Sequence, residues 1–416
     1  AMTYVPSPDT AFESLQFITN EAPLGRLVRG AHFFGSSAMV TLAFAHMART
    51  FLYGSYKFPR ELTWVSGSLL LLFTLGMAFT GQLLRWEQNA YWSIVVAASA
   101  AGTTPFIGGP LMQLILAGWS VGPATLTRFY ATHVFLLPAL IFLFVGVHLY
   151  LVVRLGISEP PEPGKPVDPR TYPEAYEAEL RRGKPFFPDA VWPDALGALG
   201  VTAVVLGLAA IFGPPALGEP ADPTLVQAYP RPDWYFLWFF ALLARMPAAL
   251  ETVLILGLPL LVGAVLLLLP FLFPTGERSA WRRPWAVAAV LVVLLGFVAL
   301  TYEGARSPWS PILVGYQEIP YPEWALDDLS PLEQRGAEVF QLEACHACHA
   351  IGGLGGQVGP DLTNVGDRLS HDQLVVTILR GRGYMPGYAE TLPPDDLAAL
   401  VAFLQTLHGP PPQIER

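Results

Sequence analysis

Four of the eight histidines in this 416-residue chain fall into two spaced pairs. His32 and His46 lie fourteen apart in one apolar run, and His133 and His148 lie fifteen apart in another. An α-helix turns about 100° and rises about 1.5 Å per residue, so either spacing closes about four turns and sets two imidazoles on one face roughly 21–22 Å apart. Two such helices side by side could hold two stacked haems, each clamped by one histidine from each helix. Redox centres at that separation suit electron transfer across a hydrocarbon core of about 30 Å. The alternative is four unrelated buried or interfacial histidines. Against it stands the general rule that ionisable groups inside membrane spans are kept for function.

A second centre is spelled out in Cys345-His346-Ala347-Cys348-His349. This spacing offers Cys345 and Cys348 for thioether bonds to haem vinyl groups and His349 as an axial ligand. These are the only cysteines, so no disulfide framework competes, and a zinc site or a dithiol redox pair is the remaining alternative; zinc would need further ligands close by. Met385, thirty-six residues after His349 in a Gly/Pro loop, is the candidate sixth ligand, whereas Met246 and other methionines in apolar stretches read as packing. His346 and His371 read as ordinary surface histidines.

Holding these groups requires helices in a bilayer. The chain is 53% hydrophobic and 14% charged, with mean hydropathy +0.43. The pattern predicts an all-α protein with six spans, near 33–51, 66–84, 129–153, 195–213, 249–273 and 285–303, followed by a small helical domain. Twelve of the 24 Lys and Arg residues fall in or beside the loops 52–65, 154–194 and 274–284, which the positive-inside rule assigns to the cytoplasmic side. The first and third spans then run in the same direction, so His32 should share a haem with His133 near the outer face and His46 with His148 near the inner face. Gly67 and Gly81, also fourteen apart on the intervening span, would let a porphyrin edge approach; ordinary helix-packing glycines are the alternative. Arg29, one turn before His32, could pair with a haem propionate or serve as an interfacial anchor.

From 318 onward acidic residues number fourteen and basic five, so the tail carries the whole net charge of −9. Helix-like pieces at 330–343 and 394–407 flank a Gly-rich centre, the pattern of a small haem-wrapping domain. Its acidity could steer a basic redox partner, or be an ordinary solvated surface; no nucleic-acid partner is expected. Haem attachment through this motif takes place outside the bacterial cytoplasmic membrane, which agrees with the outward side that the loop charges assign to the tail. The domain division expected is 1–157, 158–192 as an inner linker, 193–304, 305–327 as a second linker, and 328–416.

Several stretches carry a family resemblance: YVPSPDTAFESLQFI, LVRGAHFF, KFPRELTWVSG, TLTRFYATHVFLLP and GVHLYLVVRLGIS within 3–157. This region resembles the haem-bearing part of cytochrome b from quinol–cytochrome c reductases, above all the split form of cyanobacteria and chloroplasts. Residues 193–304, with Pro232-Asp233-Trp234-Tyr235, resemble its three-span companion, and 328–408 resemble a class I cytochrome c. The resemblance implies two non-covalent bis-His haems b, one covalent His/Met haem c, and a quinol substrate. It further implies a Rieske iron–sulfur subunit, since this chain has no cysteines left for that cluster, a soluble cytochrome c or other acceptor, proton translocation, and a homodimeric complex.

In that family the segment at 232–235 lines the outer quinol-oxidation site, and its carboxylate accepts a proton; here that implies Asp233, with Tyr235 beside it. Asp in place of the usual Glu accompanies lower-potential quinols such as menaquinol. An Asp that simply caps the following helix is the alternative. Gly108-Gly109-Pro110-Leu111 matches the loop bordering the same pocket, and Arg85 stands where the family usually has Pro. Arg154 falls where the family has basic residues near the inner quinone site, although the positive-inside rule predicts an arginine there anyway. The family begins with one more helix, so Ala1-Met2-Thr3-Tyr4 reads as the end of a missing one, which in the split form can carry a cysteine holding an extra haem. The competing function is a di-haem conduit without quinol bifurcation, which would not need the 232–235 segment.

Overall fold

Long runs of Leu, Val, Ala and Phe leave the backbone one way to satisfy its polar groups in lipid, and most of this chain is helical accordingly. The computed structural model describes residues 3–102, 104–118, 120–222, 231–246, 248–306, 320–355, 359–382, 385, 387–389 and 391–409. Among them five helical stretches are long and apolar enough to cross a membrane: Glu61–Leu83, Pro123–Leu155, Phe186–Phe212, Val253–Leu272 and Pro284–Arg306. The expected first span, 33–51, is not among the five. It lies inside a helix of 28 residues, Gly25–Leu52, amply long but less apolar, because His32, Ser36, Ser37, Thr41 and His46 lower its hydropathy.

In chain order the helices are α1 (Ala11–Asn20), α2 (Gly25–Leu52), α3 (Glu61–Leu83), α4 (Gln88–Gly102), α5 (Gly108–Leu116), α6 (Pro123–Ala131), α7 (Leu137–Leu155), α8 (Tyr172–Leu180), α9 (Val191–Phe212), α10 (Trp234–Ala244), α11 (Ala248–Leu272), α12 (Pro284–Arg306), α13 (Pro331–Leu342), α14 (Val365–Arg368), α15 (His371–Arg380) and α16 (Pro394–Thr406). They fall into two compact units that do not follow the linear division expected from the sequence. The first comprises Ala1–Arg85, Phe129–Leu217 and Asp233–Arg306; the second comprises Trp86–Arg128, Gly218–Pro232 and Ser307–Arg416.

In the first unit α2 packs on α9 and α3, α3 on α7 and α11, and α10 on α12. Between α6 and α7 one turn, Thr132–Leu136, is a π-helix, closed by the Leu137 N–H donating to Thr132 O. Pro138 supplies the cause: its nitrogen has no proton for the carbonyl four residues back, so the preceding turn widens. The π-turn lies largely between His133 and His148. Fifteen regular helical residues would overshoot four turns by about 60°, and a turn with one extra residue absorbs that excess.

The second unit has its core in the C-terminal segment, where Phe340, Leu374, Ile378, Leu400, Phe403 and Leu404 are buried together. The helices there start on built caps. Ser330 accepts from the Glu333 N–H while Glu333 returns a bond to the Ser330 N–H, and Ser370 and Gln373 repeat the device. α13 and α16 cross closely enough that a Cβ at Gly336 would lie 2.0 Å from Ala399 O. Only glycine permits that approach. The expected pieces 330–343 and 394–407 are these two helices. A two-stranded hairpin, Ala350–Ile351 with Leu354–Gly355, follows the Cys345–His349 turn. The expected 305–327 linker lies outside the described residues over 307–319.

Candidate functional site

The four paired histidines meet across α2 and the α6–α7 span. His32 faces His133 with ring centres 6.1 Å apart, and His46 faces His148 at 6.5 Å. Two imidazoles sharing one axial metal stand roughly 6 Å apart between centres, since each metal–nitrogen bond is about 2 Å. Both separations fit a group held between the rings.

The ring nitrogens are assigned by their neighbours. His133 Nδ1 lies 3.1 Å from Met77 O and 3.2 Å from Thr80 Oγ1. Thr80 already donates its hydroxyl proton to Gly76 O, so both neighbours accept and Nδ1 carries the proton. His148 repeats the arrangement: its Nδ1 is 2.9 Å from Ser66 Oγ, whose proton goes to Thr63 O. In each ring Nε2 keeps its lone pair for a metal, as an oriented second partner should ensure. Gly67 and Gly81 sit on α3 against these same rings. A Cβ at Gly81 would come 2.7 Å from His133 Cε1, and one at Gly67 would come 3.2 Å from His148 Cε1. The space these glycines leave is taken by the imidazoles themselves. Arg29 donates to Thr19 Oγ1 at 3.1 Å and to Pro215 O at 3.0 Å, and so ties α2 to the start of the 213–222 segment.

The Cys345–His349 turn is anchored by Cys348 N–H and His349 N–H, both donating to Cys345 O. His349 Nδ1 donates to Pro360 O at 2.8 Å, again freeing Nε2, and a Cβ at Gly359 would lie 2.5 Å from His349 Cε1. Burial holds the His349 imidazole below its usual range and pushes the Cys345 and Cys348 thiols up, to about 12 and about 11. Thiols so placed are neutral at physiological pH. Among the described residues, no group of three or more His, Cys, Asp or Glu side chains converges as a zinc site would need. Met385 packs against the domain core, with its backbone paired to Arg382. His346, expected at the surface, is 4% exposed, and neither ring nitrogen has a hydrogen-bond partner among the described residues. The turn that presents Cys345 and Cys348 carries the intervening side chain inward. His371 is at the surface beside Asp372.

Asp233 occupies the N-cap position of α10, yet its side chain makes no capping bond. One carboxylate oxygen accepts from the Tyr235 hydroxyl at 2.9 Å, and the other lies 3.9 Å from Arg85 Nη2. Arg85 and Asp233, the two departures from the family pattern, therefore face each other. Burial, reinforced by the adjoining carboxylate, pushes the Tyr235 hydroxyl up, so it stays a neutral donor. Gly108-Gly109-Pro110-Leu111 forms the first turn of α5.

Comparison with known proteins bears on most of the chain. Residues 1–156 match the family model "Cytochrome b/b6/petB", 220–319 match "Cytochrome b(C-terminal)/b6/petD", and 331–404 match "Cytochrome C oxidase, cbb3-type, subunit III". Cytochrome b of Rickettsia typhi is 33% identical over 321 residues, covering 76% of each chain. The chain belongs to the cytochrome b family. Cytochrome b of Rickettsia prowazekii is 32% identical, covering 75% of this chain and 76% of its own. A solved structure titled "Hyperthermophilic respiratory Complex III" superposes with TM-score 0.61 at 29% identity, covering 74% of this chain and 78% of that one. This cytochrome b is fused to a cytochrome c domain, and it is a multi-pass membrane protein of electron transport. Haem is the group that both parts imply. The sequence reading missed Met77, Ser66, Thr80 and the π-turn; of these only Pro138, five residues after His133, leaves a trace in the letters.

Proposed function

We propose that this chain is the cytochrome b and c subunit of a quinol–cytochrome c reductase, oxidising a membrane quinol at the outer face and sending its two electrons along separate routes. The observation that carries the reading is the pair of facing imidazoles repeated on one helix couple, at 6.1 and 6.5 Å. His32 and His133 would hold one non-covalent haem, His46 and His148 the other, and Cys345, Cys348, His349 and Met385 the covalent one. When bound, these groups supply an electron path between the membrane faces and a separate acceptor outside.

The residues of the chain do the rest. Thr80, Met77 and Ser66 hold two of the imidazoles in one orientation, and Gly81 and Gly67 give them room. Asp233 takes one of the two protons that a quinol releases with its two electrons, the other passing to water at the outer face, and Tyr235, held neutral, keeps the carboxylate turned away from the helix end. Arg85 offers its charge at the far side of that carboxylate. A conduit without quinol oxidation would have no use for a carboxylate so turned. The only cysteines are in the covalent haem motif, so a Rieske-type subunit must supply the iron–sulfur centre. The complex is a dimer in a bacterial cytoplasmic membrane, and the c domain lies outside. The direct test is quinol-dependent reduction of a soluble cytochrome c by the purified complex. Activity that needs the iron–sulfur subunit and falls in Asp233→Asn supports the reading; electron transfer indifferent to both would leave the conduit.

A further inference from the structure

Arg85 and Asp233 come from segments that are stitched together just beyond each of them. The Asn89 side-chain amide pairs with the main chain of Arg231, accepting from its N–H at 2.7 Å and donating to its O at 3.1 Å. Gln88 holds the Asp222 main chain in the same way, at 3.2 and 3.0 Å, and Glu87 accepts from the Gly218 N–H at 2.7 Å. Between these bonds and Arg85 stands Trp86, 5% exposed and at φ +47°, a left-handed bend that an L residue keeps only where its surroundings impose it. α3 closes with the Arg85 N–H donating to Gln82 O, so Arg85 sits at a fixed turn between helix and bend.

The two charges nonetheless stop short of a hydrogen bond. Asp233 Oδ2 accepts from Tyr235, while Oδ1 lies 3.9 Å from Arg85 Nη2, with the side chains 28% and 26% exposed. An ion pair that only held two segments together would gain by closing this gap, and the bonds at 87–89 already hold them. An oxygen about 2.8 Å from both Oδ1 and Nη2 spans the gap with ordinary hydrogen-bond lengths. A quinol hydroxyl suits the place. It donates to a carboxylate, and once its proton has gone the oxygen left behind is best met by a charged donor.

We propose that Arg85 is a catalytic residue of the quinol site, binding the substrate hydroxyl opposite Asp233 and stabilising the quinol anion that forms as Asp233 takes the proton. In this step the quinol O–H bond breaks, an O–H bond forms at Asp233 Oδ1, the bonding pair stays on the quinol oxygen, and no electron leaves. The inference rests on the proposed quinol oxidation and adds the group that receives the negative charge.

The test is equilibrium binding to the purified complex, with the inner quinone site blocked, of an alkylated hydroxyquinone, an anion at neutral pH, and of its neutral methyl ether. The parental complex binds the hydroxyquinone more tightly. Arg85→Gln loses about ten-fold of that preference, the lower end of what a charge-assisted hydrogen bond is worth, and Arg85→Lys keeps most of it. With quinol as substrate, Arg85→Gln lowers kcat about ten-fold and leaves KM within about two-fold, because the anion forms only on the way to the transition state. If Arg85→Gln does not assemble, Asp233→Asn decides: with Arg85 in place the preference for the hydroxyquinone holds or rises, whereas its loss assigns recognition to the carboxylate and overturns the role. Equal binding of the two compounds by the parental complex, an unaltered preference in Arg85→Gln, or a rate effect carried by KM alone also overturns it. Binding is read without turnover, so the two readings fail separately. A complex whose preference depends on Arg85 but which does not oxidise quinol rejects the proposed function, and quinol oxidation with a preference indifferent to Arg85 rejects only this inference.

Discussion

At Asp233 one carboxylate decides between two roles, and the geometry separates them. The residue sits at an N-cap position without capping, its oxygens directed to Tyr235 and Arg85. Asp233→Asn should therefore slow quinol oxidation while haem content and thermal stability stay near parental, and Asp233→Glu should keep most activity; steady-state quinol assays with melting curves check both. An Asn variant that turns over at the parental rate across a range of pH removes the proton role. The glycines beside His133 and His148 give a graded expectation. Gly81→Ala brings a methyl 2.7 Å from His133 and should lower the haem b bound at that level more than Gly67→Ala does at 3.2 Å, as read from reduced-minus-oxidised spectra. Histidines and cysteines at helical or motif spacing were legible because their types are rare in such a chain. Ser66 and Thr80 were not, since hydroxyls in apolar helices routinely bond a carbonyl of the preceding turn, and both do so here as well as meeting an imidazole.

Elements carry the spacing. The fifteen-residue interval between His133 and His148 works only with the π-turn that Pro138 imposes. Pro138→Ala restores an N–H, allows regular helix, and should rotate His133 by up to about 60° relative to His148. The expected outcome is loss of haem b with membrane insertion retained; full haem content in that variant would show that packing, not proline, sets the turn. All six spans were legible from apolar length, and five recur as helices long and apolar enough to cross a membrane, whereas α2 is long enough but less apolar. Between α2 and α3 Lys57 donates to Phe273 O and Thr275 O, and burial beside Arg283 and Arg278 pushes its ammonium down to about 8 from 10.5. Between those values the unfolded chain holds the proton and the folded chain does not, so this residue's contribution to stability rises with pH across that window. The melting-temperature difference between parental chain and Lys57→Met should accordingly grow from pH 8 to pH 10.

For the whole molecule, the helical class, the fusion of b and c parts and the two helices bounding the c domain were all readable in the letters. The compact units were not: Trp86–Arg128 and Gly218–Pro232 group with the C-terminal segment, through contacts such as Ser120 Oγ donating to Arg380 O at 2.8 Å. Pairings separated by 260 residues leave no local signal in a sequence. With the c domain outside, a protease added to right-side-out vesicles should release an acidic, haem-staining fragment, and release only from inverted vesicles would reverse the sidedness. The central claim is that one quinol sends its electrons along two routes. With the complex poised by quinol and exit at the inner face blocked, a pulse of oxidant is followed at the b and c absorption bands. Divided electron flow predicts that the b band becomes more reduced as the c band is oxidised, and that Asp233→Asn slows the rise; b and c bands oxidised together would contradict it.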